Sequence, residues 1–138
     1  MTVLVAYDGS EPAQKAVKQA FDEYGDEELV LLRVVELADG YTKASIKAVQ
    51  DVLGDRRESA AEELRTDLPD IVDTESVDFR TEVATGNPAR EIVSAAEEYD
   101  VDQIVIGSHG RSGVSRVLLG SVAESVVRRS PVSVNVVR

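Results

Sequence analysis

The residues best placed to do chemistry lie late in the chain, in the pattern Gly107-x2-Gly110-x9-Gly120-Ser121. A short apolar run, Ile104, Val105 and Ile106, stops at Gly107. Glycines at 107, 110 and 113 then open a loop, and a second apolar segment begins around Val117. This is the order of a buried strand, a loop and a helix. A glycine-rich turn between strand and helix lets main-chain N–H groups approach an anion, because no Cβ intervenes and the helix start adds partial positive charge. Phosphate is the guest that such a loop suits. The glycines also have a plainer reading, in which they only turn the chain.

Two familiar phosphate loops are excluded. A Walker A loop needs Gly-Lys-Ser/Thr, and the only lysines are Lys15, Lys18, Lys43 and Lys47, all far upstream. The dinucleotide fingerprint G-x-G-x-x-G is absent, and the loop lies near the C-terminus instead of after the first strand. The spacing that is present resembles the ATP-binding signature of the universal stress protein family, including its nine-residue gap. Tyr7-Asp8-Gly9-Ser10 and Gly86-Asn87-Pro88 followed by Ile92 are further points of likeness, which extends over essentially the whole chain.

The resemblance implies a nucleotide, ATP or AMP. It implies Ala6, Tyr7, Asp8 and Val34 around the nucleoside, with Ile106 and Gly107 bordering them. Gly110, Gly120, Ser121 and Val122 fall at the phosphates, where Ser121 Oγ and main-chain amides would donate. Family members commonly dimerise through the last strand, so a homodimer is expected. Here that strand departs from the frequent Pro-Val-Leu-Val-Val pattern: it reads Ser133-Val134-Asn135-Val136-Val137, with polar Asn135 in place of leucine.

Asp8 has two readings from its own position. Beside a glycine it can bond the backbone of its turn; at a strand end it can accept hydrogen bonds from a ribose or an adenine amino group. His109, the only histidine, follows Ser108, but adjacent residues seldom present side chains to each other and no Gly-x-Ser-x-Gly elbow surrounds them. A loop histidine bonded to backbone or phosphate is expected instead. Arg111 and Arg116 are equally readable as neutralisers of the outer phosphates or as partners in surface ion pairs. No His/Asp/Glu cluster has metal-ligand spacing, so Mg²⁺ would enter on the nucleotide's own phosphates.

These groups need a scaffold that brings distant turns to one edge. Thr2–Ala6 is a continuous β-rich run suited to a buried parallel strand. Ser10 is a good N-cap, Pro12 suits the first helical turn, and Ala13, Ala16, Val17, Ala20 and Phe21 share one face. Leu29–Val35 is a second buried strand. A long helix is expected from Thr42 to about Leu68, with Gly54-Asp55 as a candidate break and Pro69 as its stop. Val77–Thr85 alternates as a half-exposed edge strand. Asn87 and Pro88 start a helix with Ile92, Val93, Ala96 and Tyr99 inward; Gln103–Ile106 is the fourth strand. A helix after Gly120-Ser121 ends at Pro131, and Val132–Val137 is the last strand. Alternation of strands and helices predicts an α/β fold, a single doubly wound domain over residues 1–138 with a five-stranded parallel sheet, Rossmann-like and flanked by helices.

Composition sets the remaining bounds. The 138 residues include 26 acidic and 15 basic side chains, a net charge of −11, and no cysteine. Disulfides and thiolate chemistry are excluded, and the acidity disfavours nucleic acid as a partner. The acid is spread over helix faces, and with few lysines this suits adaptation to high salt. No signal peptide or membrane-length apolar run is read, so a cytoplasmic protein with no membrane partner is expected.

The expected function is an ATP-binding regulatory stress-response protein without efficient turnover, acting on an unknown protein partner. Lacking a lysine near the loop or an obvious general base, it has few parts for fast phosphoryl transfer. Two alternatives stand: a slow ATPase or self-phosphorylating enzyme using Ser112, Ser115 or Ser121, and an interaction module that binds no nucleotide.

Overall fold

A computed structural model describes residues 1–36, 46–75, 77–108 and 119–138. The elements are β1 (Thr2–Ala6), α1 (Glu11–Tyr24), β2 (Glu28–Val35), α2 (Ile46–Ile71), β3 (Phe79–Thr85), α3 (Pro88–Glu98), β4 (Gln103–Gly107), α4 (Ser121–Arg129) and β5 (Ser133–Val137). All strand pairs are parallel and the sheet order is β3-β2-β1-β4-β5. This is the doubly wound α/β architecture that the alternating elements predict.

Alternating strand residues divide the core in two. Val3, Val5, Leu29, Leu31 and Val105 pack under α1 and α2. Leu4, Ala6, Val30, Leu32, Ile104 and Ile106 pack under α3 and α4. Both faces of the central strands are therefore apolar, which is why β1 reads as an unbroken hydrophobic run.

The helix starts follow the expected chemistry. Ser10 Oγ accepts from the Ala13 N–H at 3.2 Å, and Asn87 Oδ1 from the Arg90 N–H at 3.1 Å, each with a proline in the first turn. On α3, Ile92 and Ala96 are buried as expected, together with Ala89 and Ala95, while Val93 is only half-buried.

Helix α2 departs from expectation at two places. Gly54 does not break it: the helix runs through this position, at which a Cβ would meet nothing within 4 Å. A solvent-facing glycine costs a helix only about 1 kcal/mol relative to alanine, and burial of Ala60, Leu64 and Leu68 offsets that. Pro69 does not stop it either: the helix runs on to Ile71, and the Val72 N–H closes its last turn on the Leu68 carbonyl at 3.0 Å. Pro69 and Arg65 are both exposed, four residues apart on the outer face, so the carbonyl that the proline leaves without a donor faces water. The expected start, at residues 42–45, lies outside the described residues. Strand β3 begins at Phe79, two residues later than expected, and does occupy a sheet edge.

Candidate functional site

The strand order reverses between β1 and β4. From β1 the chain passes to α1 over one face; from β4 it leads to α4 on the other. The carboxyl ends of these two strands flank the crevice where doubly wound sheets take ligands.

On the β1 side, Asp8 Oδ1 accepts from the Ser10 N–H at 2.9 Å, and Gly9 takes φ +85°, a conformation that glycine adopts without strain. The turn reading of Asp8 is thus realised. Its Oδ2 has no hydrogen-bond partner among the described residues.

On the β4 side, the Ser108 N–H donates to the Val137 carbonyl and the Ser108 carbonyl accepts from the Gly120 N–H, both at 2.7 Å. The start of α4 is therefore fastened to the end of β4. Gly120 is the N-cap residue of α4 and supplies no side-chain cap, unlike Ser10 on α1 and Asn87 on α3. The first intrahelical bond runs from the Glu124 N–H to the Gly120 carbonyl at 3.0 Å. The amides of Ser121, Val122 and Ala123 consequently have no acceptor among the described residues, and they carry the positive end of a nine-residue helix. The Gly120 amide itself is taken by the Ser108 carbonyl, so among the described residues it is the next three amides that lack an acceptor.

Of the positions that sequence reasoning groups at the crevice, Ala6, Val34, Ile106 and Val122 share the α3/α4 face of the sheet. Ala6 pairs with Leu32, two residues before Val34. Ser121 is exposed at the first position of α4. Two positions turn the other way. A Cβ on Gly107 would lie 2.8 Å from the Pro12 carbonyl carbon and 2.9 Å from the Ala13 nitrogen, so what its bareness admits is the first turn of α1 and not an anion. The Tyr7 ring is buried on the α1/α2 face, where its hydroxyl donates to Asp67 Oδ2 at 2.8 Å. Burial first, then Asp67, pushes the Tyr7 phenol well above the usual tyrosine range. What Tyr7 can offer the crevice is main chain. Gly110, His109, Arg111, Ser112, Ser115 and Arg116 lie outside the described residues.

Sequence reasoning missed the Ser108 carbonyl as the anchor of Gly120, and Asp67 as the partner of Tyr7. No local signal marks either, since each bond joins positions brought together by the fold. Among the described residues, no group of three or more His, Asp or Glu could hold a metal, and no helix is long and apolar enough to cross a membrane.

The model of the universal stress protein family matches residues 1–138. The chain belongs to that family. It is 32% identical to universal stress protein MJ0577 of Methanocaldococcus jannaschii, over an alignment covering 99% of this chain and 93% of the relative. The structure of universal stress protein UspA from Lactobacillus plantarum superposes with a TM-score of 0.85 at 28% identity, covering 100% of this chain and 97% of that one. A universal stress protein solved in complex with cAMP gives a TM-score of 0.70 at 26% identity, with 100% and 97% covered. The doubly wound sheet is thus the universal stress protein fold, and nucleotide binding occurs among its structural relatives.

Proposed function

We propose that this universal stress protein binds an adenine nucleotide, ATP or AMP, between the Asp8 turn and the start of α4, as a stress-response regulator and not a fast enzyme. The observation that carries the reading is the uncapped start of α4, with the amides of Ser121, Val122 and Ala123 unclaimed among the described residues and tied by Gly120 and Ser108 to the end of β4. Such a helix start suits a phosphate, which brings the charge that the amides lack a partner for. The relative solved with cAMP supports the same ligand class.

In this reading the Asp8 carboxylate accepts from the ribose or the adenine amino group. Ala6, Val34 and Ile106 give the base an apolar wall, and the Tyr7 and Gly107 main chain borders it. Gly110, Gly120, Ser121 and Val122 meet the phosphates, where Ser121 Oγ adds a donor. Mg²⁺ would ride on the nucleotide's phosphates. Residues 1–138 act as one nucleotide-binding domain, and two copies pair through the outer edge of β5, whose Asn135 is half-buried. The reading keeps the protein in the cytoplasm, where its nucleotide is abundant.

Calorimetric titration with ATP and AMP, together with the mass of any ligand released from the purified protein on denaturation, tests this. Saturable binding at one site per chain is expected, and absence of heat with every adenine nucleotide would overturn it. Radiolabelled ATP separates binder from enzyme: many turnovers per site would favour the slow ATPase.

A further inference from the structure

Two polar ties fasten the end of β1 and strand β2 to α2, on the α1/α2 side of the sheet. Tyr7 follows directly on β1, and its hydroxyl donates to Asp67 Oδ2 at 2.8 Å. Arg33, on β2 one residue before Val34, reaches Glu63 with Nη2 at 3.5 Å. Glu63 and Asp67 stand four residues apart, one turn along the same face of α2. The Tyr7 hydroxyl lies in the fields of both Glu63 and Arg33, so these four groups form one cluster.

Tyr7 is held at both ends. Its N–H donates to the Leu32 carbonyl at 2.9 Å, and its ring sits in the core that holds Leu64, Leu68 and Val137. The next residue is Asp8, whose carboxylate orientation depends on the turn through Gly9 to the Ser10 N–H. A turn that begins on a residue fixed by main chain, packing and a charge-assisted hydrogen bond has little freedom to swing.

We propose that Tyr7 and Asp67 are positioning residues for the nucleoside: the hydroxyl-carboxylate bond on the α1/α2 side of the sheet sets the direction of the Asp8 carboxylate in the turn that follows Tyr7. The proposal rests on the nucleotide-binding reading given above. It goes further by assigning to a phenol and a carboxylate outside the crevice a part in recognising the sugar or base, and none in holding the phosphates. Loss of the bond removes one of the three constraints on the residue that starts the Asp8 turn and leaves a half-buried carboxylate on α2 without its donor, while the start of α4 is untouched.

The test compares the wild-type chain with Tyr7→Phe and Asp67→Asn, titrated with ATP and, separately, with inorganic tripolyphosphate. Leu64→Val serves as a packing control from the same core. Both positioning variants should weaken ATP by about tenfold and leave tripolyphosphate unchanged, whereas Leu64→Val should lower the thermal midpoint without altering either affinity. ATP affinity that stays at the wild-type level in both positioning variants would overturn the proposal while leaving the nucleotide reading intact. Equal weakening of ATP and tripolyphosphate would overturn it too, as would a loss of ATP affinity in Leu64→Val matching that in Tyr7→Phe. A wild-type chain that binds no adenine nucleotide overturns the functional reading and this proposal with it.

Discussion

Gly107 and Pro12 are packed so closely that a Cβ at position 107 would lie 2.8 Å from the Pro12 carbonyl carbon. Main-chain atoms cannot rotate aside as a long side chain can. Gly107→Ala should therefore push α1 off the sheet and destabilise the fold by about 1–3 kcal/mol, the range for overpacking a tight core. Urea denaturation checks this, and a midpoint equal to that of the wild type would show that the contact relaxes freely.

Gly120 has φ −63° and ψ 158°, close to the −72° and 161° at which Ser10 caps α1. Gly120→Ser should therefore supply the cap that α4 lacks, with its Oγ accepting from the first-turn amides. Stability should rise by about a few tenths of a kcal/mol, while ATP affinity falls by about tenfold or more because the same amides are now occupied. Paired thermal melts and calorimetry read both changes. Unaltered ATP affinity in a variant that gained stability would remove the phosphates from the start of α4.

Asp8 serves its own turn and, in the proposed reading, the nucleoside. Asp8→Ala should weaken adenine nucleotide binding by about 1–3 kcal/mol, the scale of a lost hydrogen bond to a charged group. Asp8→Asn keeps an oxygen for the Ser10 N–H but loses the charge. If calorimetry finds the asparagine variant as tight as the wild type, the carboxylate's contribution reduces to shaping the turn.

With a net charge of −11, repulsion among surface carboxylates opposes folding most strongly when it is unscreened. The thermal midpoint should rise from dilute buffer to molar KCl, as the screening length shrinks from tens of ångströms to about 3 Å. A midpoint indifferent to salt over that range would show that the acidic surface carries no such penalty.

The element order was readable in the residues because its signals are local. Continuous apolar runs mark strands buried on both faces, and Ser10 with Pro12 and Asn87 with Pro88 mark helix starts, since caps and fixed φ act within a few residues. Pro69 misled because whether a proline ends a helix depends on what its freed carbonyl faces. At position 69 that is water, while Leu68 anchors the turn in the core.

The candidate site divides along the same line. The resemblance carried by the Tyr7-Asp8-Gly9-Ser10 turn and the Gly107-x2-Gly110-x9-Gly120-Ser121 spacing marked Asp8, Gly120 and Ser121, and the parallel sheet brings the turn after β1 and the end of β4, to which Gly120 is bonded, to one edge. Which way each position faces was decided only by the tertiary structure. The space that Gly107 leaves bare is filled by the first turn of α1, and the Tyr7 side chain turns to Asp67, sixty positions along, which accepts its hydroxyl. The physical reason is that strand residues alternate between two faces that are both buried here. A sequence that is apolar on either side therefore says that a residue is inside, and only the packing of the helices says against what.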